Sequence, residues 1–198
     1  AQWVVEAAKA ATGAAPVLVV GVGAQQIRDH FGGAVRYAEQ REQLGTGHAV
    51  MAAREYLAGE GYALVVAGDM PLLRAETLKR LVDAARAGSL GVCVLSALLP
   101  DPTGYGRVLR EDGRVRRVVE HRDATEEERA ICEINTSVYC FHIPALREAL
   151  SALRNDNDQR EYYLTDCVEH IAKSGRRVEA LAGDARECLG VNDRAQLA

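Results

Sequence analysis

The chain has no apolar run approaching the ~20 residues that a membrane-spanning helix needs, and its N-terminus lacks the layout of a signal peptide. A soluble, cytoplasmic protein with no membrane partner is the expectation. It also lacks a basic excess: 24 Lys and Arg stand against 28 Asp and Glu, for a formal net charge of -4. Apart from the short cluster Arg114, Arg116 and Arg117, basic and acidic residues are mixed, so a nucleic-acid groove, which must neutralise phosphates, is not supported. Cysteines are few and scattered: Cys93, Cys132, Cys140, Cys167 and Cys188 are odd in number, with no two closer than eight positions. That spacing suggests neither a disulfide framework nor a zinc site, and buried free thiols in a reducing compartment are the plain reading.

What is present fits one domain. A chain of 198 residues is long enough to bury about 70% of the surface its unfolded form exposes. Its first half alternates helical and strand periods. A helical pattern, WVVEAAKAA, precedes the strand PVLVVG (16–21), the helix AQQIRDHF, the strand VRYAE (35–39), and a helix with Ala49, Ala52, Ala53 and Tyr56 on one face. Repeated βα order predicts an α/β fold, a parallel sheet with helices on both sides. After GVCVLSAL (91–98), the segments GRVLR and RVRRVV flank Glu111, Asp112 and Gly113, a strong hairpin signal. A long strand over CEINTSVYCFHI and helices near 145–153 and around Leu164, Cys167, Val168 and Ile171 follow.

Chemistry-bearing residues cluster where these elements end. In ALVVAGDMPLL (63–73) an apolar run, as in a strand buried on both faces of a parallel sheet, stops at Gly68, Asp69 and Pro71. Open α/β sheets bind ligands outside the carboxyl ends of their strands, which makes Asp69 a candidate; turn or capping chemistry is the competing reading. VVGVGAQQI lacks the third glycine of a dinucleotide fingerprint, since Gln26 stands there, so a tight strand-to-helix turn accounts for Gly21 and Gly23. In QLGTGHAV, Gly45 and Gly47 flank Thr46 before a helix. Free N–H groups there can meet an anion or a carbonyl, or Thr46 can simply cap the helix. No P-loop lysine follows, which excludes a kinase or GTPase of that type. Gly104 and Gly106 surround Tyr105 at the hairpin entry. VEHRDAT gathers Glu120, His121 and Asp123, either a general-base or metal group or a strand end feeding a helix capped by Asp123 or Thr125. Asn135 interrupts a β-favouring run, and Asn192 follows a glycine ahead of RAQLA.

In this order, QLGTGHA, GDMPLL, DPTGYGR, VEHRDAT, EINT, the EYYLTD after NDNDQR, and GVND resemble one family. It is the uridylyltransferase (pyrophosphorylase) domain of the bifunctional bacterial N-acetylglucosamine-1-phosphate uridyltransferase / glucosamine-1-phosphate N-acetyltransferase. The resemblance runs from about Leu18 to the last residue. It implies a Rossmann-like, GT-A-like nucleotidyltransferase fold, a three-layer α/β/α mixed sheet with an inserted β-hairpin subregion. It further implies that UTP and N-acetylglucosamine 1-phosphate give UDP-N-acetylglucosamine and pyrophosphate, in cell-wall precursor synthesis, with Mg²⁺ as cofactor. Carried over, Asp69 and Asn192 match the catalytic metal positions, and Gln40, Gly45, Thr46 and Gly68 the nucleotide positions. Gly106, Glu120 and Asn135 match the sugar positions. Ala67 replaces a polar residue of some relatives, and Arg122 stands where lysine is common. Relatives begin with a strand and a glycine-rich loop bearing an arginine and a lysine, which nothing before Leu18 resembles. The expectation is therefore one nucleotidyltransferase domain over 1–198, truncated at its N-terminus and of doubtful activity, without the left-handed β-helix acetyltransferase domain. A homotrimer is expected only of the full-length enzyme. Two alternatives stay open: a relative using another nucleotide or sugar phosphate, and a catalytically silent sugar-nucleotide-binding fragment.

Overall fold

The computed structural model describes residues 1–190. Two short segments, the valine-rich β1 (Val17–Val20) and β2 (Arg36–Glu39), pair in parallel through the crossover helix α2 (Ala24–Phe31). Six further strands make the main sheet. They are β3 (Tyr62–Val66), β4 (Val92–Leu98), β5 (Gly106–Glu111), β6 (Arg114–Val119), β7 (Glu133–His142) and β8 (Val178–Ala182). Their order is β6-β5-β7-β4-β8, with β3 also paired to β7. Only β4 and β8 run parallel within this sheet, so it is mixed.

The ten-residue β7 organises the sheet. β4 lies along one of its edges; the other is shared, with β5 opposite Ile134 and Asn135 and β3 opposite Val138 to His142. Thr136 and Ser137 fall between those two neighbours. Here β7 bulges, because it advances from Tyr139 to Asn135 while β4 advances only from Val94 to Ser96. Ser137 adopts a φ of 60°, a conformation unusual for a side chain other than glycine, and the Thr136 hydroxyl donates to the Leu95 carbonyl at 2.7 Å.

Alternation along the central strands sends neighbouring residues to opposite layers. Cys93, Leu95, Ile134, Val138 and Cys140 pack with α4 (Ala75–Ala87), whose Leu78, Leu81, Val82 and Ala85 form one buried stripe, and with Val4 of α1 (Gln2–Thr12). Val92, Val94, Tyr139 and Phe141 face α6 (Ile143–Ala152) and α7 (Asp166–Lys173) through Leu146, Ala149, Val168 and Ile171. The three-layer α/β/α arrangement follows.

The hairpin forms where expected, and Asp112 and Gly113 both have positive φ (50° and 77°), as a two-residue type I′ turn requires. Several sequence expectations are corrected. β3 is half-buried and pairs antiparallel with β7 rather than lying inside a parallel sheet, since its other edge has no strand partner among the described residues. The helix α3 (Thr46–Ala52) buries Gly47 and Val50 instead of the alanine face, and a 3-10 turn follows at Arg54–Tyr56. β8 is an addition to the sequence reading; its alternation is too short to stand out. Cys132 is exposed, whereas the other four free thiols are buried. The RAQLA segment lies outside the described residues.

Leu146 is fully buried between α6 and the sheet, whereas Val22 is 94% exposed. Leu146→Ala should cost about 2–5 kcal/mol in urea unfolding, and Val22→Ala less than about 0.5 kcal/mol.

Candidate functional site

Three groups of residues sit at the ends of the strands. The first follows β3, where a turn at Gly68 and Asp69 projects into solvent between the half-buried strand and the buried anchors Met70 and Leu73. Asp69 caps no helix, because α4 starts at Ala75 with Arg74 as its N-cap. Among the described residues its carboxylate has no hydrogen-bond or ion-pair partner. The chain returns to it after β8: a Cβ on Gly190 would lie 3.3 Å from Asp69 Oδ2. Asn192, expected beside it, lies outside the described residues.

The second group gathers at the ends of β1 and β2. Gln40 directly follows β2, where its N–H donates to the Val20 carbonyl at 2.8 Å. Its Nε2 donates to the Gly45 carbonyl at 3.1 Å and meets His48 Nδ1 at 3.1 Å. The glycine-rich loop is zipped onto the segment before α7: Tyr162 N–H donates to Leu44 O (2.8 Å), Gly47 N–H to Tyr162 O (2.7 Å), and Leu164 N–H to Thr46 Oγ1 (3.0 Å). Thr46 therefore does not cap α3; Gly45 is the N-cap and receives no side-chain cap. Close approach to protein backbone explains these glycines, since a Cβ on Gly45, at φ 101°, would lie 2.7 Å from Tyr162 O and one on Gly47 2.8 Å from it.

The third group is the tightest. Gly106 opens β5 directly opposite Asn135 of β7, and Glu120 follows β6, with its Oε2 3.4 Å from where a Gly106 Cβ would be. Glu120 Oε1 accepts from the buried Thr165 hydroxyl at 2.9 Å. Asn135 Nδ2 donates to the Tyr139 hydroxyl at 2.8 Å, and Asn135 Oδ1 accepts the Ser137 N–H at 3.3 Å. Burial holds the Glu120 carboxyl above the ordinary carboxylate range, with the negative charges of Asp166, Asp123 and Glu161 adding to the rise and the Thr165 hydrogen bond opposing it. Burial, and then the Glu120 charge, likewise raises the Tyr139 phenol.

His121 is engaged elsewhere. Its Nδ1 lies 3.4 Å from Nη2 of Arg107, a side chain only 1% exposed that also donates to the carbonyls of Tyr105 and Arg129. Arg107 ties the DPTGY turn to α5 (Glu126–Arg129), and α5 starts from a capping box of Thr125 and Glu128. Asp123 instead accepts the Asp158 N–H at 3.2 Å. Tyr139, Thr165, Tyr162 and Arg107 were not picked out as site-building residues in the sequence. The first two lie inside EINTSVY and EYYLTD, but a contact between segments gives no local signal. Among the described residues no three His, Cys, Asp or Glu side chains gather to hold a metal, and no helix is long and apolar enough to cross a membrane.

Gly106, Glu120 and Asn135 are thus brought together, and Gln40 with Gly45 and Thr46, while Asp69 meets the returning chain at Gly190. Comparison with known proteins places the chain in a family. The chain is 47% identical over 197 residues to the bifunctional protein GlmU of Caldanaerobacter subterraneus subsp. tengcongensis, covering 99% of this chain and 43% of that protein. It is 50% identical over 184 residues to the GlmU of Enterococcus faecalis, covering 91% of this chain and 40% of that one. It therefore spans about two fifths of the length of these curated relatives. Among solved structures, UDP-glucose pyrophosphorylase complexed with UDP-glucose superposes with a TM-score of 0.66 at 19% identity, covering 88% of this chain and 75% of that one. The apo form gives 0.68 at 18% identity, covering 91% and 77%. These structures share the nucleotidyltransferase fold. Residues 1–170 match the family described as the MobA-like NTP transferase domain, and the chain belongs to that family.

Proposed function

We propose that this chain is the uridylyltransferase part of a bifunctional enzyme, joining UTP and N-acetylglucosamine 1-phosphate to give UDP-N-acetylglucosamine and pyrophosphate. One observation carries the reading. β3 ends opposite Val138 and β5 begins opposite Asn135, so the exposed Asp69 turn, Gly106 and Asn135 border a single gap along β7, with Glu120 beside it. The similarity to GlmU over nearly the whole chain supports the same substrates.

The reaction is an in-line attack by a sugar-phosphate oxygen on the α-phosphorus, with pyrophosphate leaving. Such transfers need positioning and charge neutralisation more than covalent help from the protein. Beside Gly106, which packs closely against Val119 O and Glu120, the Glu120 carboxylate can accept from a sugar hydroxyl. Asn135 gives one Nδ2 hydrogen to Tyr139 and has the other for the substrate. Gln40 Nε2 is occupied by Gly45 and His48, which leaves Oε1 to accept the uracil N3–H. Asp69 fits a hard cation: it is an exposed oxygen donor at the strand end, and Mg²⁺ takes only one or two protein oxygens. With Asn192 as second oxygen donor, Mg²⁺ would supply charge neutralisation at the phosphates. A cytoplasmic location, and a trimer of the longer protein, belong to the same reading. The fold shared with UDP-glucose pyrophosphorylase favours a second reading, in which the sugar is glucose 1-phosphate.

Pyrophosphate release should be assayed with UTP, Mg²⁺ and either sugar phosphate. The proteins are this chain and a chimera in which it replaces the 197 matching residues of the Caldanaerobacter relative. Turnover of N-acetylglucosamine 1-phosphate by the chimera is expected; a folded chimera that uses only glucose 1-phosphate would support the second reading, and one that uses neither would refute both. In that chimera Asp69→Ala should lower kcat by about 10²-fold, since metal charge stabilisation amounts to several kcal/mol. Unchanged turnover at saturating Mg²⁺ would remove Asp69 from the metal site.

Glu120 adds a pH signature. Its acid is weakened by burial, so it gains a proton at a higher pH than an ordinary glutamate, and the KM for the sugar phosphate should climb there as pH falls. KM for UTP should stay flat, and Glu120→Gln should abolish the sugar effect. The folded chain holds this proton more tightly than the unfolded chain, so Glu120's contribution to stability is lost as pH rises from the ordinary glutamate value to its raised one. Thermal melts of the wild type and Glu120→Gln across that window check the sign.

A further inference from the structure

We infer that Glu187, which lies outside every substrate contact described above, is a positioning residue: its carboxylate clasps the chain after β8 onto the start of α4 and thereby holds Gly190 against Asp69. The inference deepens the reading of the Asp69 site and rests on it for its metal-dependent arm alone.

Glu187 is 7% exposed, although it lies in a surface segment. Its Oε2 accepts from the Thr77 hydroxyl at 2.6 Å, and its Oε1 lies 3.4 Å from Arg74 Nε. Thr77 is the third residue of α4 and is itself buried, and Arg74 is the N-cap, which provides no side-chain cap of its own. A carboxylate from far along the sequence thus sits beside the first turn of the helix, near its positive end, held by side chains of that turn. The pairing spans 110 residues. Burying a carboxylate is costly unless it is well partnered, and an apolar side chain would fill such a site with less loss. What the charged group adds is a directional link to α4.

Both sides of that link lead to the Asp69 turn. Arg74 follows Met70 and Leu73, the buried anchors of the turn that presents Asp69. Glu187 precedes Gly190, whose added Cβ would stand 3.3 Å from Asp69 Oδ2. Between β8 and Glu187 the chain is organised locally. Gly183 N–H donates to Ser96 O at 2.8 Å, Arg186 N–H to Asp184 Oδ1 at 2.9 Å, and Glu187 N–H to Asp184 O at 3.0 Å. These bonds shape the segment, but after Gly183 only the Glu187 side chain hydrogen-bonds it to another element among the described residues.

Cys188 reports on the clasp. It is 2% exposed, and burial, followed by the nearby charges of Glu187 and Asp184, pushes its thiol up to about 11, so it reacts slowly while the segment is closed. Cys132, the exposed cysteine, supplies an internal reference. The experiment labels the chain with a thiol reagent and reads each cysteine by mass spectrometry, alongside Mn²⁺ affinity measured by electron paramagnetic resonance with UTP present.

Glu187→Ala should raise Cys188 labelling about tenfold relative to Cys132, as a locally opened segment would, and lower Mn²⁺ affinity about fivefold. Thr77→Val should do the same while keeping the Glu187 charge beside the thiol. Glu187→Gln, which keeps an acceptor for Thr77, should restore most of both signals; a rise equal to that of Glu187→Ala would assign the effect to thiol acidity and overturn the clasp. Unchanged Cys188 labelling in folded Glu187→Ala and Thr77→Val would also overturn it. Raised labelling with unchanged Mn²⁺ affinity would refute the positioning role, provided Asp69→Ala does lose Mn²⁺. If Asp69→Ala binds Mn²⁺ normally, the metal reading fails instead, and Cys188 labelling alone decides the clasp.

Discussion

The pairing of β7 on both edges, interrupted at one bulge, is the constraint on which the other features depend. A strand filled on both sides would offer no opening. Here the β3 edge stops at Val138 and the β5 edge begins at Asn135, and the two intervening residues carry the backbone irregularity. The bulge rotates Asn135 into contact with Tyr139, four positions on, a neighbour it could not meet in regular β geometry, where side chains four apart lie about 13 Å from one another. Bulges re-aim side chains beside functional sites, and this one sets a buried amide at the mouth of the gap. Both helical layers serve the same strand, packing Ile134, Val138 and Cys140 from one side and Tyr139 and Phe141 from the other.

Beyond that gap, polar groups are held by partners from distant segments. Glu120 is held by Thr165 and Thr46 accepts from Leu164, while Gln40 is held within its own loop by Gly45 and His48. Two of these links reach the stretch of chain just before α7, so the glycine-rich loop and the end of β6 are tied to one segment. Its glycine partners show the cost of such closeness. A methyl on Gly45 or Gly47 would collide with the Tyr162 carbonyl, so their absent side chains serve packing as much as ligand access.

The electrostatics at the strand ends are uneven. Glu120 sits among other acids in a partly dry setting and resists ionisation. Asp69 is exposed to solvent. Arg107, buried on the backbone carbonyls of Tyr105 and Arg129 and beside His121 Nδ1, works as a strut between the DPTGY turn and α5.

Sequence alone determined the element types up to β8, the hairpin and the ordered motifs that mark the family, because helical and strand periodicity, turn chemistry and motif order are local properties of the chain; the three-layer packing came with the family resemblance. It also singled out Gly106, Glu120 and Asn135, which tertiary structure then assembled. Folding alone decided the rest. An apolar run such as Tyr62–Val66 reads the same whether its partner is parallel or antiparallel, and only the sheet put it antiparallel to β7. Thr46 was a fair capping residue by position, yet the arrival of Leu164 gave its oxygen another donor. Tyr139, Thr165 and Glu187 carry no local signature, since each acts through a contact that exists only once separate segments meet; for Glu187 and Thr77 the separation is 110 residues.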